Sequence, residues 1–470
     1  MNFKTIFKSF KNKDMRKRIF AVVGILVVYR FLAHIPVPLG DATTFKQAID
    51  NLVNSTDFGG FINLISGGGL TNFSILLVGL SPYITASIVM QLLTKAIPRL
   101  EELNKDGEVG RRKISQWTRI LTVPLAIFQS IAYIFILFQE VVAANTSAGF
   151  NPSFGDWALA VTAMTAGSVL LMWLGELVTE QGIGNGISTI ILCSIISSLP
   201  TTVAKFGAAL FNTSEGSLSL FGWLNLPVNP TMFWIIIALG IGMLVVLYIL
   251  VKLKEAQRII TINYAKRVHG NSAYGGIKSI MQLKLIAAGV IPVIFAVAFL
   301  SVPAFVGQII QRADSSSVIA QNLIDWFSAP NANTFDSTVG LQGKDFVYPI
   351  MYFILVVMFT YFYTSIVFNA QEIAENLQKQ GGFIEGVRPG KQTEIYFNKM
   401  VNRLNLFGAL ALGLIAMLPY IVDYVFIATV GYPIGLSISG TGLLIVVTVA
   451  LENMRQINSR ALMVTYDDYQ

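Results

Sequence analysis

The sequence predicts an all-α polytopic membrane protein with ten transmembrane helices in two inverted five-helix halves. Of its 470 residues, 54% are hydrophobic and only 13% are charged, whereas a soluble domain carries about 25% charged residues. The mean hydropathy is +0.63. Ten apolar segments each come close to the ~20 residues that a bilayer requires. These segments are 19–39, 73–93, 118–142, 157–178, 186–204, 231–251, 283–306, 347–369, 404–427 and 433–451.

The charge of the connecting segments predicts the orientation of the chain. In alternate segments the basic residues number seven (1–18), seven (95–119), none (179–185), seven (252–284), five (370–403) and two (452–470). These 28 of the 33 lysines and arginines mark the cytoplasmic side by the positive-inside rule. We therefore expect both termini in the cytoplasm and an uncleaved signal anchor as the first span.

The number of spans suggests an internal repeat. Ten spans divide into two sets of five, and an odd number reverses the sense in which the second half enters the membrane. We expect residues 1–204 to form the N-terminal half, 231–470 the C-terminal half and 205–230 an outside hinge loop. No convincing sequence identity relates the halves, so the repeat is inferred from the span count. The polar outside segments 205–230 and 311–346 are interpreted as surface loops without independent function.

Residues 61–70 interrupt the apolar pattern before the second span. Each glycine of Gly67-Gly68-Gly69 disfavours a helix by about 1 kcal/mol relative to alanine. Non-helical backbone at membrane depth persists only where it is buried in protein or lines a water-filled cavity. The pattern predicts a short re-entrant segment and then a true span that begins near Asn72. An ordinary outside loop with a flexible tip is the alternative.

Two cytoplasmic loops, 252–284 and 370–403, are too long and too patterned to be simple connectors. The run RIITINYAKR alternates apolar and polar residues, which predicts a hairpin strand. The second loop predicts a helix, a Gly-Gly pair, a turn at Arg388-Pro389-Gly390 and a further helix. Structured basic loops indicate a docking surface for a large cytosolic partner that is steered by charge. Charge that serves only to orient the chain is the alternative.

The sequence lacks the residue motifs that an enzyme or a metal-binding protein would need. The chain has one cysteine, Cys193, and two histidines far apart in the sequence, so we expect no metal and no cofactor. No GxxxxGK[ST] phosphate loop occurs. A secondary transporter of a small solute is the alternative function, but transporters place ionisable residues near the midplane, and these span centres contain almost none. Glu176, near a span end, either caps that end or pairs with a basic loop.

Several stretches, in order along the chain, resemble the SecY/Sec61-alpha family of protein-conducting channels. They are FINLISGGGL with LSPYITASIVMQLL, DGEVGRRKISQWTR, WLGELVTEQGIGNGIS, RIITINYAKR, AAGVIPVIF, GFIEGVRPGKQT and GTGLLIVVTVALENM. The resemblance covers essentially the whole chain. It implies a central hourglass pore that passes unfolded secretory polypeptides across the bacterial plasma membrane and releases apolar segments sideways into lipid.

The resemblance implies a pore ring and a plug at the waist of the channel. By motif, the ring isoleucines are Ile84, Ile88, Ile187, Ile191, Ile294 and Ile445. The first four form two i, i+4 pairs, and each pair shares one helix face. An apolar ring dewets when empty and so blocks ions; an ordinary membrane-core role is the alternative. The implied plug comprises Phe61, Ile62, Asn63, Leu64, Ile65, Ser66, Gly67, Gly68, Gly69 and Leu70.

The resemblance also implies a lateral gate between the second and seventh spans, and docking residues in the cytoplasmic loops. The gate residues are Ser87, Gln129, Ile286 and Pro292. Because the family commonly has asparagine where this chain has Ile286, we expect a gate that is harder to open. The docking residues are Arg258, Lys266, Arg267, Arg388, Pro389, Gly390 and Lys391. The implied partners are the SecE and SecG subunits, the SecA ATPase, the ribosome, signal sequences, unfolded preproteins and membrane lipids, with no DNA.

Overall fold

The described part of the chain is mostly α-helical. The structure is a computed structural model. It describes residues 13–38, 69, 72–143, 153–182, 184–211, 218–220, 224–226, 230–264, 267–269, 272–274, 278–286, 288–289, 291–313, 317–327, 343–430 and 436–467.

Within those residues, the long helices overlap the apolar segments of the sequence, and the short helices at 98–105 and 370–379 are polar. They are α1 (Lys13–Leu32), α2 (Ser81–Ala96), α3 (Pro98–Lys105), α4 (Glu108–Ala143), α5 (Phe154–Gln181), α6 (Gly186–Leu210), α7 (Pro230–Glu255), α8 (Ile291–Ala313), α9 (Val318–Phe327), α10 (Val347–Val367), α11 (Ala370–Lys379), α12 (Lys391–Val430) and α13 (Leu436–Asp467). The strands are β1 (Leu218–Leu220), β2 (Leu224–Leu226), β3 (Gln257–Tyr264), β4 (Arg267–His269), β5 (Ser272–Tyr274), β6 (Lys278–Lys284) and β7 (Gly382–Ile384).

Six helical stretches among the described residues are long and apolar enough to cross a membrane. They are Glu108–Phe135, Phe154–Gln181, Phe233–Glu255, Ile291–Gln311, Val347–Lys379 and Lys391–Val422. A shorter apolar helix covers Gly186–Pro200. The chain is therefore a multi-pass membrane protein, as its composition predicts.

The second helix begins later than predicted. Residues 72–80 form a series of turns, and α2 begins at Ser81 rather than near Asn72. Gly79 takes a left-handed backbone (φ 61°), and Pro82 lies in the first turn of α2, where its missing N–H costs nothing. The predicted span 73–93 was therefore wrong at its start, because local turn chemistry overrides the apolar pattern there.

The seventh predicted span also begins too early. Residues 278–284 belong to strand β6, and the helix α8 begins at Ile291 rather than at residue 283. The connection is tied back to the end of α7, since the Leu285 N–H donates to the Ala256 carbonyl (2.9 Å) and the Lys254 ammonium donates to the Gly289 carbonyl (2.8 Å). Lys254 is buried, and this hydrogen bond gives its ammonium a partner inside the protein.

The chain forms two compact units. The first unit comprises Met1–Leu239, Ala298–Tyr348 and Val422–Gln470. The second comprises Gly240–Val297 and Pro349–Ile421. The division of the sequence into two inverted halves stays a prediction.

Each unit has a hydrophobic core of its own. In the first unit, buried side chains from the chain after α1, the 72–80 turns, α4 and α5 pack together: Val37, Phe73, Leu77, Val78, Tyr133, Ile134, Leu137, Ala160 and Met164. In the second unit, the strands β3, β6 and β7 pack on α11 and the start of α12 through Ile260, Ile262, Leu283, Ala370, Leu377, Ile384 and Phe397.

Candidate functional site

The turns at 72–80 form a fixed base just after the predicted plug. Phe73 has a left-handed backbone (φ 47°), a conformation that costs a bulky residue energy, and its side chain is buried in the core of the first unit. Its carbonyl accepts from Val37 (2.8 Å), and the Ile75 N–H donates to Ile35 (3.0 Å). These bonds tie the turns to the chain that leaves α1.

The same turns are held against α5 by two consecutive small residues. The hydroxyl of Ser168 donates to the Gly79 carbonyl (2.9 Å). A Cβ placed on Gly167 would lie 2.2 Å from the carbonyl oxygen of Ile75, so only glycine permits this approach. Of the predicted plug, the structure describes Gly69, which is buried and whose carbonyl accepts from Ser74 (2.8 Å). Phe61, Ile62, Asn63, Leu64, Ile65, Ser66, Gly67, Gly68 and Leu70 lie outside the described residues.

Two of the predicted ring isoleucines lie on α2. Ile84 and Ile88 are both buried, one helical turn apart. Between them lies the half-buried gate candidate Ser87, whose hydroxyl accepts from the amide of Gln91 (3.2 Å). The helix α2 thus carries a predicted ring pair and a predicted gate residue within five positions.

Two more lie in the first turns of α6. The Asn185 side chain caps this helix by accepting from the backbone N–H groups of Ile187 (3.0 Å) and Ser188 (3.4 Å). Ile187 is half-buried and packs against Gly175 of α5, where a Cβ would lie 3.2 Å from its Cγ1 atom. Ile191 is buried. The cap therefore fixes where the helix begins and which face its isoleucines share.

The other two predicted ring residues are buried as well. Ile445 lies on α13, within the first unit. Ile294 lies one turn into α8, within the second. Burial fits an apolar ring and also fits an ordinary core, so the ring stays a prediction.

The remaining gate candidates are divided between the units. Gln129 of α4 is half-buried, and its side-chain oxygen is buried without a hydrogen-bond partner among the residues that the structure describes. Pro292 is buried in the first turn of α8. Ile286 is 6% exposed and lies beside Gly408 of α12, where a Cβ would lie 3.4 Å from its Cγ1 atom. Its burial thus includes a contact with a neighbouring helix of its own unit.

Glu176 pairs with a basic residue rather than capping its helix. Its carboxylate lies 2.6 Å from the Nε of Arg119, which joins α5 to α4 within the first unit. The carboxylate is the less exposed partner, at 21% against 47%. Arg119 belongs to the basic segment 95–119, so the second of the two sequence interpretations describes this residue.

The two predicted docking loops fold together into one sheet. The strand β3 of the first loop pairs antiparallel with β6 and, on its other edge, with β7 of the second loop, in the order β6-β3-β7. The alternation in RIITINYAKR therefore predicted a hairpin strand correctly. The register brings Ile262 opposite Ile384. The sequence indicated neither the pairing between the loops nor the three-residue strand β7.

The predicted turn at Arg388-Pro389-Gly390 lies between β7 and α12. The hydroxyl of buried Thr393 donates to the Arg388 carbonyl (3.0 Å), and Gly390 takes a left-handed backbone (φ 97°). The turn is thus fixed from within. The side chains of Arg388, Pro389 and Lys391 are exposed, as is that of Arg258 on β3. Arg267 begins β4, and Lys266 lies outside the described residues.

Comparison with known proteins decides the family. The SecY family model matches residues 74–454. The protein translocase subunit SecY of Streptomyces scabiei is 38% identical over 468 residues, which cover 98% of this chain and 98% of the relative. That of Halalkalibacterium halodurans is 36% identical over 473 residues, with 99% of each chain covered. The chain belongs to the SecY family.

The fold of this SecY family member agrees with solved channel structures. A protein-conducting channel matches with a TM-score of 0.58 at 18% identity, covering 93% of this chain and 90% of the other. Sec61 in the canine ribosome-channel complex matches with a TM-score of 0.55 at 17% identity, covering 93% and 90%. At these identities the likeness shows the fold.

Membership in the SecY family confirms the function predicted from the sequence, which is that of a protein-conducting channel subunit. It also confirms that the chain is a channel subunit and not an enzyme. The alternative, a transporter of small solutes, is not favoured.

Proposed function

We propose that this chain forms the pore of a bacterial Sec translocase in the plasma membrane, with ten spans in two inverted halves and both termini in the cytoplasm. Unfolded secretory preproteins pass through the pore, and apolar segments leave sideways into lipid. The observation that carries the proposal is the match of the SecY family model to residues 74–454, together with relatives aligned over 98% of the chain.

The pore is closed at rest by the isoleucine ring and by the plug at 61–70. An apolar constriction dewets when no polypeptide fills it, and ions do not cross a dry constriction. Isoleucine offers a passing chain no hydrogen bonds, so the ring admits any sequence. Burial of Ile84, Ile88, Ile191, Ile294 and Ile445 supports this role. The fixed turns at 72–80 give the plug a rigid attachment on its C-terminal side.

The shared sheet of the two cytoplasmic loops is the docking surface for the partner that drives translocation. Its own hydrophobic core makes it a preformed surface, so docking does not have to order it. Arg258, Arg388 and Lys391 place exposed basic side chains on these loops. We propose the SecA ATPase and the ribosome as alternating partners there. The SecE and SecG subunits, signal sequences and surrounding lipids complete the assembly. Two structural neighbours are ribosome-bound channel complexes.

Reconstitution tests this function. The purified chain, with SecE and SecG, is placed in lipid vesicles with a radiolabelled preprotein, and protease-protected preprotein is measured with and without SecA and ATP. We expect protection only when SecA and ATP are both present. Protection that is independent of SecA, or none with every component present, contradicts the proposal.

A further inference from the structure

The C-terminal part of α13 lies across the turn that joins α5 to α6. Three polar side chains face this turn: Asn453, Gln456 and Arg460. Their spacing of three and then four residues puts them on one face of the helix. Ile457, on the same face, packs with Val22 of α1 and Val178 of α5. We call residues 453–460 the latch.

The latch makes two hydrogen bonds, one to the turn and one to the first turn of α6. The side-chain oxygen of Gln456 accepts from the Gly184 N–H (2.7 Å). The amide of Asn453 donates to the hydroxyl of Thr189 in the first turn of α6 (3.1 Å). Helix N-termini leave backbone N–H groups without intrahelical partners, and here the turn before α6 obtains one partner from a helix 272 residues away in the sequence.

The glycines of the turn are required by this contact. Gly182 and Gly184 both have left-handed backbones, with φ of 69° and 86°. A Cβ on Gly184 would lie 1.8 Å from the side-chain oxygen of Asn453, and one on Gly182 would lie 1.9 Å from a guanidinium nitrogen of Arg460. The latch thus occupies the space that a side chain at either glycine would need. The sequence motif GIGNGIS marks this approach.

The turn between α5 and α6 also fixes where α6 begins. Thr179 of α5 accepts from the Gly186 N–H (2.9 Å), and Asn185 caps the helix. Ile187 and Ile191 follow within two turns. Because Asn453 bonds Thr189, which lies between these two isoleucines on α6, a shift of the latch acts directly on the first turn of α6.

We propose that the latch is a positioning element for the pore, which holds the α5–α6 turn and thereby keeps Ile187 and Ile191 in the sealed arrangement. This inference rests on the proposed function of those two isoleucines. The cytoplasmic segment 179–185 carries no basic residues, which fits a segment covered by the protein itself rather than by an outside partner. Displacing the latch then loosens the seal from the cytoplasmic side.

The test displaces the latch with one methyl group. Gly184→Ala places a Cβ against the Asn453 side-chain amide, and relief to an ordinary contact of ~3.5–4 Å moves that amide by about 2 Å, which strains its bond to Thr189 and pushes on the latch. Gly107→Ala is the matched control, because Gly107 has a similar left-handed backbone (φ 74°) with nothing within 4 Å of its Cβ position. Both variants carry the same kind of backbone strain, and only one collides.

A double variant separates collision from strain. The three atoms nearest the new Cβ all belong to the Asn453 side-chain amide, which Asn453→Ala removes. The double variant therefore keeps the strain at residue 184 and loses the collision. It also loses the Asn453–Thr189 hydrogen bond, so Asn453→Ala alone is measured as its reference. Coupling between two contacting residues is what such a cycle measures.

Two readouts are taken on each variant. The native cysteine is first removed by Cys193→Ser. Spin labels are then attached at Glu180→Cys on α5 and Ser459→Cys on α13, both exposed positions. The distance between the two labels measures the position of the latch relative to α5. Planar-bilayer conductance without preprotein reports the seal. We expect Gly184→Ala to lengthen the distance and conduct ions at rest. Gly107→Ala should resemble the parent, and the double variant should resemble Asn453→Ala alone, which lacks the hydrogen bond to Thr189.

Several results would overturn the inference: an unchanged label distance in Gly184→Ala, a changed distance with an intact seal, or a double variant that leaks as much as Gly184→Ala and more than Asn453→Ala. If Gly184→Ala does not fold, Gln456→Ala removes the acceptor for Gly184 and must move both readouts in the same direction. Failure of the proposed function is seen separately, because the parent then translocates no preprotein while the label distance still reports the latch.

Discussion

At the scale of single residues, Arg388 offers the sharpest test of docking. It is exposed in a turn that Thr393 and Gly390 hold rigid from within. Reversal of a charge at an interface places like charges together at a cost of several kcal/mol. We predict that Arg388→Glu abolishes SecA-driven translocation into vesicles while the chain still inserts into the membrane. Exposed Lys379, changed to Glu, is the control for net charge on the same loop. Normal translocation by Arg388→Glu contradicts the prediction.

Contacts between individual side chains were the features that the sequence predicted least well. Five of the six isoleucines that the motifs mark are buried and Ile187 is half-buried, and local spacing places all six on helices. The ion pair of Arg119 with Glu176 and the approach of Asn453 to Gly184 join residues far apart in the chain. A single sequence does not show which residues far apart in the chain come into contact. It shows only that GIGNGIS and the glutamate near a span end are unusual.

At the scale of elements, the sheet β6-β3-β7, which we propose as the docking surface, depends on Ile262. This residue is 5% exposed and belongs to β3, which pairs with β6 on one edge and β7 on the other. Truncation of a buried isoleucine to alanine costs about 2–5 kcal/mol. We predict that Ile262→Ala weakens amide-exchange protection in β7 and lowers SecA-driven translocation together.

The control for that truncation lies on the same strand. Ile259 is 53% exposed, so Ile259→Ala removes the same atoms without leaving a cavity. Both protection and translocation should stay near the parent values in this variant. Equal losses in the two variants would show that the sheet does not depend on its core.

The sequence predicted the boundaries of elements that are set by the hydrophobic pattern. It missed the boundaries that are set by turns. The alternation in RIITINYAKR marks β3 because one face of that strand is buried. The starts of α2 and α8 were missed, since apolar residues on turns and strands look the same as apolar residues on helices. Gly79 and Gly289, both left-handed, were the available signals.

At the scale of the whole molecule, composition and charge decide the class of protein. With 13% charged residues and 28 of 33 basic residues in alternate segments, the chain has to cross a membrane many times in a defined direction. The order of short motifs along the chain then indicated the family. Neither composition nor motif order predicts how helices pack inside each of the two compact units, because that packing depends on which helix faces meet.

The seal of the resting channel is a property of the whole molecule, since its predicted residues come from four different helices. We predict that replacing Ile84, Ile191, Ile294 and Ile445 together by serine makes the channel conduct ions without preprotein, because hydroxyl groups wet a constriction that isoleucine keeps dry. Planar-bilayer conductance of the reconstituted complex measures this directly.

The control replaces the same number of isoleucines on exposed helix surfaces. Ile127, Ile131, Ile241 and Ile354 are 40%, 50%, 60% and 51% exposed, and their replacement by serine changes composition equally without touching the predicted ring. A leak in the ring variant alone assigns the seal to those four positions. If both variants leak, the loss comes from general destabilisation of apolar helices; if neither leaks, the ring is not the seal, and closure rests on the plug.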